Sequence, residues 1–596
     1  RTIVLNQLRI VTKEGKPIIK SDSIAVAIKP FSLIFGKIRF ASLTVYNTRV
    51  TLDYDLLQLL RHKQGMKSDT TQNLMPVSYS KLVSALQTKL FDYLPNKMAF
   101  RNLDFSYQND KIQALIRFEN FLYNNEKYLG EVLFIDNQSS DRCVVEGSII
   151  PSSGRFICRM SQSQKKLLRL PYIGPRWHAS FGFDTLQFDC GFSKEEDSQM
   201  YISGDIKVSN LAVFHKQIGP DTVKLPFGEM EFNMKLGPRF VEVDSSSVIR
   251  FNRFHFSPYI KFERDTSSKI TVAFIKQQFR ADDLFKSLPQ GLFNNFEGLE
   301  TTGDLEYQMK LSIDLANPDS VKFYSDLENK GFSIKKYGVT DFRLMNGSFF
   351  HEVYENDMLA ARFQVGPENP DFVPLNEISP FLRYSVLTSE DGDFFYHKGF
   401  NMGAFRESIA KNVKEKRFAR GGSTISMQLV KNVFLSRKKT YSRKIEEALI
   451  VWLIENQRLT SKDRMFEVYL NIIEWGPGIY GIKPAAWFYF KKQPSELTLT
   501  ESIYLTSIIP RPKGFRYMFN EDGNLREFIS PYYKLLSGIM VRRNQITPED
   551  TVNLRPVIKL KGEAKRFLEK QDSTTMEDSL YFIQPIELAP FGGDEK

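Results

Sequence analysis

The feature that most constrains this chain is a change in the spacing of its apolar residues near residue 366. Before Phe363, apolar and polar residues alternate in short runs that Gly, Asn, Asp and Pro interrupt. Alternation with a period of two is typical of strands that bury one face, and it predicts mainly antiparallel sheet. After Pro374 the apolar residues recur at helical spacing. We therefore predict a multidomain α+β chain with an elongated β-rich region over 1–365, a mainly helical domain over 366–520, and a helical extension and tail over 521–596.

Individual elements can be placed on this pattern. Strands are predicted at 22–29, 38–46, 50–54, 118–123, 144–150 and 203–208, and helices at 78–94 and 531–543. Helix starts are predicted at Ser379 before Pro380, and at the capping boxes Thr460–Asp463 and Thr498–Glu501. The 50 Phe and 25 Tyr residues support extended sheet, because aromatic rings fit the pleated face of a strand.

Positive charge is concentrated in one segment of the helical domain. Between Lys398 and Lys444 there are thirteen Lys and Arg residues and only two acidic residues, Glu407 and Glu415. This segment therefore carries as much net charge as the whole chain, which is +11. Such a concentration indicates an anionic partner: phosphate groups, an anionic membrane surface or nucleic acid.

Targeting signals and cysteines constrain the location only weakly. No run of eighteen or more apolar residues is present, so the sequence itself predicts no membrane span. The chain begins with Arg1, and we expect a processed start from which an N-terminal anchor has been removed. Cys143, Cys158 and Cys190 lack metal-ligand spacing, and both three core thiols and one disulfide with one thiol fit them.

The first motif with chemical content is Glu390-Asp-Gly-Asp-Phe394-Phe-Tyr-His397, at the predicted end of the helix that begins at Pro380. Adjacent carboxylates at a helix end are ordinarily a solvated corner. Here Phe394 and His397 follow closely, and they would place an apolar wall and a hydrogen-bond donor beside the carboxylates. A partly desolvated carboxylate has a raised pKa, which suits a base that works near neutral pH, and Glu390 is the predicted base.

A second motif runs from Arg420 to Asn432 and reads Arg-Gly-Gly-Ser-Thr-Ile-Ser-Met-Gln-Leu-Val-Lys-Asn. Backbone amides at a helix start, together with Ser and Thr hydroxyls, suit phosphate oxygens. The motif is not a P-loop, because the Gly-Lys-Ser/Thr ending is absent, and by itself it is equally typical of an ordinary loop.

A third motif, Arg443-Lys444-Ile-Glu-Glu447, places three charges on one helix surface. An ordinary intrahelical ion pair explains this spacing, and so does a cationic clamp on a pyrophosphate with a carboxylate beside it. The opposite, core-facing stripe is predicted to consist of Ile445, Leu449, Trp452 and Leu453.

Taken in order, these motifs resemble the family 51 glycosyltransferases, the peptidoglycan transglycosylases. The matching blocks are Glu-Asp-x-x-Phe-x-x-His-x-Gly at 390–399, Gly-x-Ser-Thr-Ile-x-x-Gln-Leu-x-Lys-Asn at 421–432, Arg-Lys-x-x-Glu at 443–447, a Tyr-Leu-Asn…Gly-x-Gly-x-x-Gly-Ile…Ala-Ala…Tyr-Phe stretch over 469–490 and a weaker match over 497–512. Met427 departs from the Gln that many members carry. Residues of the 469–490 stretch are assigned scaffold roles, because glycines permit a tight turn and alanines permit close helix approach.

This resemblance implies a lysozyme-like catalytic domain that acts on lipid II. Glu390 would deprotonate the acceptor sugar 4-hydroxyl, which attacks the anomeric carbon of the donor with inversion and releases undecaprenyl pyrophosphate. Glu447, the second implied catalytic residue, would position the cationic cluster or a divalent cation (Mg²⁺ or Mn²⁺), the one cofactor that the resemblance admits. The implied substrate-binding residues are Asp391, His397, Ser423, Thr424, Gln428, Lys431, Asn432, Lys439, Arg443 and Lys444.

The same resemblance implies partners and a location. The partners are lipid II, the growing lipid-linked glycan, cell-wall synthesis proteins, and an anionic membrane surface that residues 400–418 would contact; no nucleic acid is expected. The location is the periplasmic face of the inner membrane. The sequence has no Lys-Thr-Gly motif, and we expect no transpeptidase activity.

Strand phrases over 21–53 and 288–318 resemble a second family, the AsmA-like membrane-tethered periplasmic proteins. This implies a sheet whose apolar face shields lipid chains or acts as a spacer, although a plain β-rich scaffold fits equally well. An alternative function follows: a lipid-binding or lipid-shuttling periplasmic protein with a degenerate transferase domain. A lysozyme-like hydrolase is a third hypothesis. Intact Glu390 and Glu447 argue against degeneracy, and a hydrolase of uncharged glycan needs no cationic cluster.

Overall fold

The computed structural model describes residues 2–569 apart from 13–14, 31–38, 54–77, 109–112, 138, 163–165, 171–173, 175–177, 195–197, 220, 290, 437–439 and 521. The chain divides into two compact units. The β unit comprises Arg1–Lys336 with Thr440–Ser442, and the helical unit comprises Tyr337–Lys439 with Arg443–Lys596. The domain limits predicted at 365/366 and 520/521 stay predictions.

Nineteen strands of the described residues form one sheet in the β unit. They are β1 Thr2–Val11, β2 Pro17–Ile28, β3 Phe40–Asp53, β4 Lys97–Gln108, β5 Gln113–Asn124, β6 Lys127–Asp136, β7 Ser140–Ile150, β8 Arg155–Gln162, β9 Leu168–Arg169, β10 Ala179–Phe183, β11 Thr185–Lys194, β12 Met200–His215, β13 Val223–Leu236, β14 Phe240–Val243, β15 Val248–Phe251, β16 Phe254–Arg264, β17 Ser268–Arg280, β18 Glu300–Asp314 and β19 Asn317–Lys336. Two helices accompany them, α1 Tyr79–Tyr93 and α2 Ala281–Phe285. The β-rich prediction and the helix predicted at 78–94 are confirmed.

Among the strand pairs that the structure describes, all pairs of this sheet are antiparallel except β3 with β4. There Ser42 lies opposite Lys97 and Asp53 opposite Gln108 in parallel register. A parallel pair needs a long connection, and the chain between these strands includes α1. The predicted strands 38–46 and 50–54 overlap the single strand β3 over Phe40–Asp53, so their separation was wrong; positions 38 and 54 lie outside the described residues.

The two faces of this sheet differ in chemistry. One face has a row of ring contacts that crosses from β4 to β13, with centroid separations of 5.2 to 6.3 Å; its rings are Phe100, Phe121, Tyr128, Phe156, Phe188 and Phe232. Side chains alternate between faces along a strand, and the opposite face has cross-strand ion pairs such as Lys207 with Glu229 at 3.3 Å. The period-two pattern therefore corresponds to one apolar and one charged face.

The helical unit contains ten α-helices among its described residues. They are α3 Pro380–Glu390, α4 Met402–Glu415, α5 Ile425–Phe434, α6 Tyr441–Asn456, α7 Lys462–Ile472, α8 Ile482–Phe490, α9 Leu499–Ile508, α10 Ser530–Arg542, α11 Glu549–Val552 and α12 Gly562–Glu569; α6 begins with two residues of the β unit. The short strands are β20 Phe349–Glu355, β21 Met358–Val365, β22 Glu474–Gly476 and β23 Ile479–Tyr480. The helical prediction for this region is confirmed, as is the helix predicted at 531–543.

Side-chain capping explains four of these ten starts, those of α4, α5, α7 and α9, although not always as predicted. Thr498 and Glu501 form the predicted capping box at α9. At α7 the cap is Ser461, whose side chain accepts from the Arg464 amide, so the box predicted at Thr460–Asp463 was wrong. Pro380 begins α3 as predicted, but the Ser379 hydroxyl donates to the Leu497 carbonyl and does not cap the helix.

Helix α3 forms the centre of the helical unit. Leu382 and Val386 are fully buried, and α3 packs against both α9 and α10. This packing fixes the C-terminal end of α3, where Glu390 lies. No helix of the described residues is long and apolar enough to cross a membrane. The three cysteines are free thiols.

Candidate active site

Glu390 is the last residue of α3, and its carboxylate is partly buried. The Gln428 side-chain amide donates a hydrogen bond to Glu390 Oε2 at 2.9 Å, and the Tyr469 hydroxyl donates to Gln428 Oε1 at 3.1 Å. Burial raises the pKa of Glu390, and the neighbouring Asp391 adds to the rise, while the Gln428 hydrogen bond and Lys431 oppose it. A carboxylate in such surroundings suits general-base chemistry near neutral pH.

Asp391 connects three segments around this carboxylate. It lies beside His397 Nε2 at 2.8 and 3.0 Å, and its Oδ2 accepts from the Ile425 amide at 3.0 Å. His397 Nδ1 accepts from the Gly399 amide at 3.0 Å, so the ring donates to Asp391 through Nε2. Asp391 is buried and its oxygens are engaged within the protein. It is therefore placed to hold the site together, and its predicted contact with substrate stays a prediction.

The start of α5 uses the Thr424 hydroxyl and the Ile425 amide within the protein, and the phosphate-binding role that the sequence suggests for this turn stays a prediction. Thr424 caps the helix by accepting from the Met427 amide at 3.2 Å, and its hydroxyl donates to the Gly399 carbonyl at 2.7 Å. The Ile425 amide is engaged by Asp391. The Ile425 and Met427 amides therefore form hydrogen bonds within the protein. Met427 is buried, so the departure from Gln lies in the core.

The cations Arg443 and Lys444 lie in the first turn of α6. Lys444 Nζ donates to Glu447 Oε1 at 2.5 Å and to the Ser423 hydroxyl at 3.1 Å, and Arg443 Nη1 lies 3.8 Å from Glu447 Oε2. The Glu447 side chain is 2% exposed, whereas that of Lys444 is 43% exposed. A buried carboxylate thus orients two cations, one of which faces solvent.

The remaining predicted residues are placed as follows. Lys431 and Asn432 follow Gln428 on α5, and both are half-buried. Lys439 lies outside the described residues. The predicted core stripe of α6 was wrong at Ile445, which is 54% exposed, although Trp452 and Leu453 are buried. Helical spacing alone cannot tell the core face from the neighbouring face at the first turn of a helix, where few elements pack.

The residues present do not by themselves form a divalent-cation site. Within the described part of the chain no group of three or more His, Cys, Asp or Glu residues could hold a metal ion. The Glu447 carboxylate is instead engaged by Lys444 and Arg443. Glu447 therefore fits the role of orienting these two side-chain cations.

Two sets of residues around Glu390 were missed at the level of sequence. Tyr469 was assigned a scaffold role, yet its hydroxyl reaches Gln428. From α10 and the residues after it, the Tyr532 hydroxyl donates to Ser389, and Arg543 donates to the Gly392 carbonyl and to Asp393. The Tyr-Leu-Asn motif was the only signal for Tyr469, and nothing in the sequence around Arg543 pointed to the site.

A partly buried carboxylate with a raised pKa, together with a cationic cluster oriented by a second carboxylate, suits an enzyme that activates a hydroxyl group and stabilises an anionic leaving group. A family profile described as Transglycosylase matches residues 356–529. Proteins named biosynthetic peptidoglycan transglycosylase are similar to the same part of the chain. The protein from Paraburkholderia xenovorans is 37% identical over 192 residues, which span 31% of this chain and 75% of the relative.

Two further relatives carry the same name. The protein from Methylobacillus flagellatus is 41% identical over 164 residues, 26% of this chain and 71% of the relative. The protein from Chromobacterium violaceum is 38% identical over 177 residues, 29% of this chain and 77% of the relative. Because most of each relative is covered at this identity, the chain belongs to the transglycosylase family.

Proposed function

We propose that Glu390 is the catalytic base of a peptidoglycan glycosyltransferase that polymerises lipid II. The chain is a peptidoglycan transglycosylase by family and by the names of its relatives. The observation that carries the mechanism is the environment of Glu390, a partly buried carboxylate with a raised pKa and an amide donor fixed on Oε2. Such a base accepts a proton from a sugar hydroxyl near neutral pH.

The chemistry divides between two groups of side chains. Glu390 takes the proton from the acceptor 4-hydroxyl, and the resulting oxygen attacks the anomeric carbon of the lipid-linked donor. The bond from that carbon to the pyrophosphate oxygen breaks with inversion, and undecaprenyl pyrophosphate leaves. Lys444, Arg443 and Lys431 stabilise the charge that develops on the leaving group, and Glu447 orients the first two. Ser423, Gln428 and Asn432 contribute polar groups to the donor side.

A test of this proposal is polymerisation of labelled lipid II in detergent by Glu390→Gln. This variant keeps the shape of the side chain but removes the base, and we expect a loss of about 10²- to 10⁴-fold in rate. Glu377→Gln, in the turn before α3, is the matched control and should polymerise like the wild type. Polymer from Glu390→Gln at the wild-type rate would overturn the proposal. Soluble fragments released from finished glycan would identify a hydrolase instead.

Family membership supports three finer proposals about the helical unit. We propose that it has the lysozyme-like fold, works on the periplasmic face of the inner membrane, and meets the membrane through residues 400–418. In support, α4 covers Met402–Glu415, and Phe418, three residues after it, is 81% exposed. A divalent cation at the pyrophosphate stays a proposal, and EDTA added to the polymerisation assay tests it.

We propose further that the β unit is AsmA-like and contacts lipid through its aromatic face. The row of rings from Phe100 to Phe232 supports this, because it gives a continuous apolar path across the strands. Phe156→Asp and Phe188→Asp should weaken binding of a fluorescent phospholipid by the full chain. Arg159→Asp, on the charged face of β8, is the control. Equal binding by all three variants would leave the spacer role as the better description.

A further inference from the structure

We propose that Tyr469 is a positioning residue for catalysis, which orients the Gln428 amide so that its NH₂ group, and not its carbonyl, faces Glu390. This inference rests on the proposed role of Glu390 as the base. It goes beyond that role because Tyr469 is linked to Glu390 through Gln428. The contacts that carry it are two successive hydrogen bonds, from the Tyr469 hydroxyl to Gln428 Oε1 at 3.1 Å and from Gln428 Nε2 to Glu390 Oε2 at 2.9 Å.

The geometry of a carboxamide makes the order of these bonds matter. An amide presents a donor at one end and an acceptor at the other, so a 180° flip exchanges what it offers to each neighbour. An ionised Glu390 can only accept hydrogen bonds, and it needs the NH₂ end. A hydroxyl that donates to the carbonyl end holds the amide in that orientation. Tyr469 therefore favours the ionised form of Glu390, which is the form that a base requires.

The surroundings of Tyr469 keep its hydroxyl a donor. Its side chain is fully buried on α7, and its ring stacks with Phe466 at 6.5 Å between centroids. Burial raises the pKa of Tyr469 well above its usual value, and the nearby carboxylates of Glu390 and Asp391 raise it further. The hydroxyl therefore keeps its proton through the neutral range. With the ring fixed by packing, the proton is directed toward Gln428.

Several charged and titratable groups face Glu390, and each is part of the expected pH dependence. Asp391 follows it in the chain, and Lys431 approaches from α5. Tyr532 of α10 lies near enough for Glu390 to help raise the pKa of its hydroxyl, after the larger effect of burial. His397 reaches Asp391. None of these groups changes in Tyr469→Phe, so a shift in the pH profile of that variant reports the amide orientation.

The experiment compares Tyr469→Phe with the wild type in lipid II polymerisation between pH 5 and 9. Without the hydroxyl the amide is free to flip, Glu390 loses part of its donor, and its pKa rises. We expect kcat to fall about three- to tenfold and the acidic limb of the kcat profile to move up by about half a pH unit. Gln428→Met, which removes the amide altogether, should move the limb further in the same direction.

Tyr504→Phe is the matched control. Tyr504 is also fully buried in the helical unit, and its hydroxyl has no hydrogen-bond partner among the described residues. Losing that hydroxyl should leave both kcat and the acidic limb unchanged. If Tyr469→Phe keeps the wild-type limb, or lowers only the thermal midpoint, Tyr469 is structural and the inference fails while the role of Glu390 stands. If Glu390→Gln polymerises normally, the proposed function fails first.

Discussion

The β unit and the helical unit differ in how they hold their charged groups. In the sheet, many ion pairs, such as Arg155 with Asp189, bridge neighbouring strands on a face that solvent reaches, and Asp104 beside Arg117 is a buried exception. In the helical unit, the carboxylates of Glu447 and Glu455 are buried. Glu447 meets two cations of its own helix, whereas Glu455 meets the Ser426 hydroxyl of α5 and the Lys462 ammonium of α7. A surface pair contributes little and can be replaced, whereas a buried charge requires its partners. Residues that partner a buried charged group are therefore constrained in identity and form recognisable sequence motifs. Residues in the exposed ion pairs of a sheet are not constrained in this way.

The largest expected effect is that of removing a core side chain of the helical unit, compared with an exposed leucine of the sheet. Leu505 of α9 is fully buried, whereas Leu129 of β6 is 55% exposed. Leu505→Ala should destabilise the helical unit by about 2–5 kcal/mol, because it leaves a cavity in a close-packed core. Leu129→Ala should change stability by less than about 0.5–1 kcal/mol.

Urea unfolding measures both effects in the full chain. Trp452 and Trp475 are buried in the helical unit, and their fluorescence reports the unfolding of that unit in Leu505→Ala. Far-UV circular dichroism of the strands reports the unfolding of the sheet in Leu129→Ala. Similar shifts in the two midpoints would contradict the close packing around Leu505.

The second prediction concerns the cationic cluster. Lys444→Met removes the exposed cation that Glu447 orients and leaves a buried carboxylate with a weaker partner. We expect about a 10²-fold loss in polymerisation rate, the size of effect that follows from removing one group that stabilises developing charge. Lys534→Met removes an exposed cation from α10 and is the control. An equal loss in both variants would mean that general positive charge, and not this cluster, is what the reaction needs.

Much of the fold class was predictable from sequence, because period-two and helical spacing report directly on which faces are buried. The pairing of the strands was not predictable from the sequence. Parallel register between β3 and β4 depends on where the chain returns after α1, and local alternation carries no information about that. The capping error at Thr460 arose because two neighbouring hydroxyl residues, Thr460 and Ser461, compete for the same role.

The candidate site was predictable where its residues are close in the chain. Glu390, Asp391 and His397 lie within eight residues, and the structure brings Gln428 and Ile425 of the second motif against them. Their roles stay predictions. Tyr469 and Arg543 approach from 79 and 153 positions away in the sequence, through packing of α7 and α10 on the rest of the unit. Such contacts depend on tertiary structure, so a single sequence does not reveal them.

The smallest expected effect tests the electrostatics of the β unit. Asp244 accepts hydrogen bonds from Lys235 Nζ at 2.5 Å and from the Ser246 amide at 2.9 Å. The bond from Lys235, followed by those from Ser246, lowers the pKa of Asp244 to about 2. In the unfolded chain an aspartate titrates near 3.9, so the stabilisation is present above about pH 4 and is lost as the pH falls toward 2.

Because the Asp244 side chain is 22% exposed, solvent screening reduces this contribution to less than about 1 kcal/mol. Urea midpoints from circular dichroism between pH 5 and 2.5 measure it. The urea midpoint of Asp244→Asn should fall less steeply with acid than that of the wild type. The midpoint of Lys235→Met should resemble that of Asp244→Asn, because either change removes the pair. Parallel acid limbs in all three proteins would show that this pair does not couple to folding. The ion pairs of the sheet would then serve solubility, and the contrast with the buried carboxylates of the helical unit would be sharper.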